Sequence, residues 1–276
     1  MAKLSACIAW LLPLALFSED ALAWGLYTHV YFAQLLIWAI PIADPRFRRA
    51  IARFPRLLLA GVCLPDLALF GRHVGAPALS STHQWSAARR LLVDADDDEA
   101  RALALGYASH LLTDVIAHNH FVPAHEQMWL DRPVVTHALS EWMMDAFVAT
   151  QLFARPAELM GQHHARLVNY AVDQFRCCPR AVDSALCFLR RGDATLRGSR
   201  LPQLLLRAAR RFDGQVERRF NWYIAETTTR LSQVNRLIEG DAPVWHAEPE
   251  NTVAGRLRAR SNRHDVPGPL LPQDFF

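Results

Sequence analysis

Lysine is almost missing from this chain: Lys3 is the only one, and every other basic residue is arginine. An arginine-only basic set reflects genomic base composition as readily as phosphate recognition. With a formal net charge of +3 over 276 residues, charge alone gives no ground for nucleic-acid binding. Cysteine is also scarce. Beyond Cys7 there are Cys63, Cys177, Cys178 and Cys187, two of them sequence neighbours. Four cysteines allow three connectivities, so the sequence specifies no disulfide pairing. Internal repeats and alternating apolar–polar runs are absent, which excludes a repeat array or a sheet-based core. After the first residues, no apolar run is long enough for a membrane span.

What is present is helical periodicity. Apolar residues recur three and four apart in 28–41, 46–60, 83–93, 97–119, 133–154, 157–175, 179–191 and 201–238, the signature of amphipathic helices. Pro65, Pro123, Pro133 and Gly192 fall where helix ends are expected. The fold class is therefore all-α. The stretch 201–238 is long enough for two helices or one bent helix, and its many arginines read as a solvated face, with a phosphate- or lipid-facing patch as the lesser reading. From Gly240 to Phe276 the chain is proline-containing and aperiodic, which predicts a loosely packed tail.

The opening MAKLSACIAWLLPLALFSEDALA has a lysine, an apolar run from Leu4 to Phe17 and small residues at Ala21 and Ala23, the parts of a secretory signal peptide. Cleavage after Ala23 gives three segments: a leader over 1–23, one helical domain over 24–239 and the tail over 240–276. It removes one positive and two negative charges, leaving a mildly basic chain that starts at Trp24. The expected location is secreted or periplasmic; an uncleaved anchor is the alternative.

The chemistry is concentrated in ALGYASHLLTDVIAHNHFVPAH, where His110 and Asp114 are four apart and His120 follows six further on. At 3.6 residues per turn, four-residue spacing stacks two side chains on one helical face. The next helix repeats the device with His137 and Glu141. A single His–acid pair is more often a hydrogen-bonded core pair, but two pairs and an extra histidine favour metal. Imidazole and carboxylate are zinc's usual nitrogen and oxygen ligands. His73, His118, His125, His163, His164, His246 and His264 have no such companions and are expected at the surface or behind the ligands. Asp66, after Pro65, and His83, at an expected helix start, read alone as a cap and an interface residue.

Assembled, these residues resemble the zinc-dependent phospholipase C family, whose fold is shared with fungal single-strand-specific nucleases, over roughly Trp24 to Phe153. The resemblance implies a multi-helix domain holding three zinc ions: one on His83, His110 and Asp114 with Asp66 beside it, one on Trp24, His29 and the bridging Asp114, and one on His120, His137 and Glu141. It implies that Trp24 binds through the amine freed by leader cleavage. An α-amine, with a pKa of ~7.7–8.0, must lose its proton to ligate. The implied activity is hydrolysis of a phosphate ester, with Asp66 orienting or deprotonating water or serving as a ligand. The short WGLYTH spacing is closer to the nuclease branch; Glu141 and the short gap from His120 to His137 are closer to the phospholipase branch. In the bacterial phospholipase, choline is recognised by an acid three after the tryptophan and an aromatic after the aspartate matching Asp66. Tyr27 and Leu67 stand there instead, which argues against phosphatidylcholine specificity. The expected partner is a phospholipid or other phosphodiester, with membrane-surface contact, and the chain is expected to be a monomer. A single-strand nuclease is the alternative, and a non-catalytic, zinc-stabilised, membrane-associated binding protein is a third reading.

Overall fold

The computed structural model describes residues 25–129 and 133–241. The leader, Trp24 and most of the tail lie outside the described residues. Within them every regular element is helical and no strand occurs.

The architecture is organised around one buried helix. In chain order, α1 is Leu26–Trp38, α2 Pro45–Arg53, α3 Pro55–Gly61, α4 Ala68–Gly71, α5 Trp85–Asp94 and α6 Asp98–Ile116. Asp97 starts α6 by accepting the Ala100 N–H at 2.7 Å, satisfying one of the donors a helix start leaves open. From Ala102 to Ile116 every residue of α6 is buried, so this helix is enclosed on all sides rather than amphipathic. Helices α1, α2, α3 and α5 pack around it. Its closest neighbour is α3: a Cβ on Gly106 would lie 2.0 Å from Leu58 O, and one on Gly61 2.6 Å from Leu103 O. Two glycines thus let the backbones approach within a distance no side chain permits.

Beyond α6 the chain passes through a π-helical turn, Ala117–Phe121, into α7 (Val122–Met128), then α8 (Pro133–Val148), α9 (Pro156–Gln162), α10 (His164–Phe175) and α11 (Pro179–Gly198). The last helices are α12 (Leu201–Phe212), α13 (Val216–Leu231) and α14 (Val234–Ile238).

Several helix ends differ from expectation. Pro123 does not end a helix; it sits in the first turn of α7, where a missing N–H costs nothing. The 46–60 segment breaks at Phe54–Pro55, because proline cannot donate to the preceding turn. The 157–175 segment divides at His163, 201–238 forms three helices, and α11 runs through Gly192 to Gly198. Glycine inside a helix costs only about 1 kcal/mol, which packing overrides. No single helix among the described residues is long and apolar enough to cross a membrane.

His125, expected near the surface or behind the ligands, is fully buried. Its ring contacts Phe121, Trp129, Phe220 and Tyr223, and Nδ1 donates to Phe121 O at 2.7 Å. Burial pushes its pKa down to about 3. Between the unfolded value of 6.5 and about 3, the unfolded chain holds one more proton than the folded one. The stability that depends on the neutral ring is therefore complete above the unfolded value and is lost as pH falls toward the folded one. That is a slope of about 1.4 kcal/mol per pH unit. In urea unfolding at about pH 7 and about pH 5, His125→Phe should lose less stability on acidification than the parent, by about 1–2 kcal/mol. An equal loss in both proteins would remove His125 from the acid response.

Candidate metal centre

The buried helix α6 carries His110 and Asp114 on one face, and three other segments bring side chains to them. Helix α1 supplies His29, whose Nε2 is 3.2 Å from Asp114 Oδ1. His110 Nε2 is 3.1 Å from Asp114 Oδ2, and the His29 and His110 rings stack at 3.6 Å. The turn before α5 supplies His83, its Nε2 3.3 Å from His110 Nε2 and 3.8 Å from Asp114 Oδ2. Asp66 comes from a short 3-10 turn, Pro65–Leu67, with Oδ1 3.7 Å from His83 Nε2 and 3.6 Å from His110 Nε2. These last two segments are tied next to their functional residues. The Thr82 hydroxyl donates to Pro65 O at 2.6 Å, and the Tyr107 hydroxyl of α6 donates to Thr82 O.

Hydrogen bonds on the far side of each ring fix what faces inward. His110 Nδ1 lies 2.9 Å from Val62 O; a carbonyl only accepts, so Nδ1 carries the proton. The Thr113 hydroxyl donates to His110 O at 2.8 Å, and therefore accepts from His29 Nδ1, also at 2.8 Å. In the tautomer this sets, the His29 Nε2 turns a lone pair toward Asp114, and the His110 Nε2 faces both Asp114 and His83. Burial, and next the neighbouring His110, hold the His29 pKa below its ordinary value, so that ring is neutral at pH 7. Burial alone raises the Asp114 pKa; the positive charge of a protonated His110 and His29, or of a cation in place of those protons, outweighs burial and holds the carboxyl well below its usual range. His29 Nε2 and both Asp114 oxygens accordingly have no hydrogen-bond partner.

Lone pairs and a carboxylate facing one another at such distances repel unless a cation lies between them. Two donors on one tetrahedral zinc at ~2.0–2.1 Å stand roughly 3.3 Å apart, which matches the spacings here. Two sets of donor atoms, on His29, His110 and Asp114 and on Asp66, His83 and His110, each lie within 4.8 Å of one another. The two sets share His110 rather than dividing cleanly. The outward hydrogen bonds are those that ligating histidines need to hold tautomer and orientation.

A third position lies on α8, where Glu141 Oε1 is 2.6 Å from His137 Nε2. Burial first, and then the Asp114, Asp145 and Asp66 carboxylates, push the Glu141 pKa well above its usual range. The histidine expected to join this pair was His120. The structure instead brings His118 there: its ring meets His137 edge-on at 5.2 Å, and its Nε2 is 4.0 Å from Asp114 Oδ1. Burial pushes the His118 pKa to about 3, and Nε2 has no hydrogen-bond partner. His120 has a different neighbourhood. Its carbonyl accepts from the Tyr223 hydroxyl at 3.3 Å, and burial together with Arg230 lowers its pKa to about 4. Six residues at 3.6 per turn leave a side chain on the far side of the helix, and the π-turn at Ala117–Phe121 does not bring it back to Asp114's face. The four-residue step to His118 does.

Asp145 is a functional residue the sequence reading missed. One turn beyond Glu141, it accepts the Thr28 N–H at 2.9 Å and the Thr28 hydroxyl at 2.7 Å, and it pairs with Arg197 of α11. A Cβ on Gly25 would come within 2.1 Å of Asp145 Oδ2. The carboxylate thus caps the start of α1 from a distant helix, one residue before His29. Trp24, the expected ligand preceding Gly25, lies outside the described residues.

Two variants test these assignments. Asp114→Asn should lower zinc content by more than one ion per chain, measured by elemental analysis, because both carboxylate oxygens face donor sets; loss of a single ion would remove the bridging role. His118→Ala should lose about one ion and His120→Ala none, whereas the reverse order would restore His120 to the site.

The model of the family described as "Zinc dependent phospholipase C" matches residues 28–178. No curated protein and no solved structure matches the chain significantly. The matched span holds all the described donors, from His29 to Glu141, and covers more than half of the sequence: the chain belongs to the zinc-dependent phospholipase C family.

Proposed function

We propose that this chain is an exported tri-zinc phosphodiesterase that acts as a phospholipase C, releasing a phosphorylated head group from a phospholipid. The observation that carries the reading is the buried Asp114 carboxylate set between the Nε2 atoms of His29 and His110, with neither of its oxygens nor His29 Nε2 hydrogen-bonded. Zinc when bound there supplies Lewis acidity toward phosphoryl oxygen and lowers the pKa of water toward ~7. Asp114, His29, His110 and His83 would hold two ions, and Glu141, His137 and His118 a third. The Asp66 carboxylate, at the edge of the first set, orients the attacking water and accepts its proton. Water oxygen bonds to phosphorus as the bond to the lipid's glycerol oxygen breaks, and that oxygen leaves with a proton. Val62 O and Thr113 Oγ1 take up the Nδ1 positions of His110 and His29, which would leave the Nε2 atom of each ring to ligate.

Cleavage of the leader after Ala23 would free the Trp24 amine as a further ligand, so export and completion of the site would coincide in a secreted or periplasmic monomer. Contact with a phospholipid surface is favoured by the outer face of α12. Leu204 (55 % exposed) and Phe212 (89 % exposed) stand there beside Arg207 and Arg211, apolar and cationic groups that suit an anionic interface. A single-strand nuclease is the second reading, favoured by the short spacing from Trp24 to His29.

The test uses protein purified from a secreting host. Close to three zinc ions on a chain starting at Trp24, with phosphorylated head group released from mixed phospholipid vesicles, is the expected result. Shortening of single-stranded DNA without lipid hydrolysis would replace the proposal with the nuclease. Inactivity on both substrates, with unfolding on zinc removal, would mean that the cage is structural.

A further inference from the structure

A second group of metal-type donors lies on different helices from the zinc cluster. His164 opens α10, and Asp183 and Cys187 are four apart on α11, hence on one face. One donor atom from each residue lies within 4.8 Å of the other two. His164 Nε2 is 2.7 Å from Asp183 Oδ1, with side chains 28 % and 54 % exposed, and Cys187 is a free thiol. A histidine–aspartate pair this exposed contributes little by itself. The added sulfur, brought to the same point by helical spacing, changes what the group can bind.

We propose that His164, Asp183 and Cys187 form an additional binding site for a divalent cation of the zinc class, with water in the fourth position. Imidazole nitrogen and thiolate sulfur exclude calcium and magnesium, which take oxygen, and suit zinc. Three protein ligands leave one tetrahedral position, and the exposure of Asp183 gives water and the ion a way in. On loading, the His164–Asp183 contact opens from hydrogen-bond distance to roughly 3.3 Å, a small rotation for a half-exposed carboxylate. The thiol loses its proton to become a ligand. The ion then clamps α10 to α11. Helix α11 in turn packs on the Pro65–Leu67 turn and on α4, with Phe188 and Phe70 rings 5.8 Å apart. A clamp here therefore stiffens the support behind Asp66 without touching the reacting groups.

Cobalt(II) gives a readout specific to this site, because the nitrogen and oxygen donors assigned to the zinc cluster yield no thiolate-to-cobalt charge transfer. The full chain loaded with cobalt(II) should show a near-ultraviolet thiolate band. Cys187→Ser should abolish that band and bind about one ion fewer, and a Cys177→Ser/Cys178→Ser double variant should keep both. If Cys187→Ser does not fold, Asp183→Asn, a change at an exposed position, should lose the same ion. No band in the parent chain, a band that survives Cys187→Ser, or an ion that washes out on gel filtration would overturn the site. The outcome is independent of whether the chain cleaves lipid.

Discussion

Two imidazole Nε2 atoms pressed against one buried carboxylate form an arrangement that needs positive charge between them to hold together. Around Asp114 the structure also gathers Asp66, Glu141 and Asp145, and the Glu141 pKa is driven upward by burial and then by Asp114, Asp145 and Asp66. An unpaired charge taken out of water costs several kcal/mol even after relaxation. Arg197 neutralises Asp145 permanently. Among the described residues, no arginine or lysine pairs with Asp66, Asp114 or Glu141; histidines face them instead. Metal binding is consequently coupled to folding here: the core helix α6 is buried on every side, yet its C-terminal half carries the donors that need the ion.

The rest of the architecture can be understood as a means of bringing donors to that helix at fixed orientation. Gly106 and Gly61 let α3 lie against α6, which places the Val62 carbonyl where it sets the His110 tautomer. Asp145 reaches across to cap α1 at Thr28, which fixes the start of the helix one residue before His29. Arg197 stacks over the Tyr27 ring at 4.4 Å and also pairs with Asp193, whose pKa burial raises to about 6. The entry of α1 is thus held through α8 and α11 together, and a ring that must be placed to within tenths of an ångström is supported by two buried charges rather than by loop packing.

Much of this was legible because helices convert sequence spacing into geometry. His110 with Asp114 and His137 with Glu141 are four-residue pairs, and α-helical stacking carried both into the folded site. The same rule, applied once more from Asp114, reaches His118; the six-residue step to His120 needed the backbone to turn in a way the π-helical stretch does not. Asp145 was hidden for a different reason. Its partner Thr28 is far away in sequence, and a lone aspartate one turn after Glu141 carries no sign of what it caps. Asp66 and His83 sit in short turns without periodicity, and only the cross-links through Thr82 and Tyr107 show that they adjoin. The break at Pro55 and Pro123 in the first turn of α7 show the two faces of proline, a stop for the preceding helix and a favourable first turn for the next.

The charge of the site changes sign when it fills, and this bears on what it can accept. Empty, the cluster gathers the carboxyl groups of Asp66, Asp114 and Glu141 and offers an anion no cation to bind. Under the proposed loading, three dications against three carboxylates leave a surplus of about three positive charges in a poorly hydrated pocket. A phosphodiester brings one negative charge in the ground state and gathers more on its oxygens as the nucleophile enters, so attraction grows along the reaction coordinate, which is the condition for catalysis rather than mere binding. A neutral amide or ester would offset less of that surplus. Under the proposed function, a selectivity for phosphorus esters would follow from the imbalance between the ions and the acids that hold them. In the proposed reading, what distinguishes a lipid from a nucleic acid lies outside this cluster, on the exposed apolar and arginine-bearing face of α12.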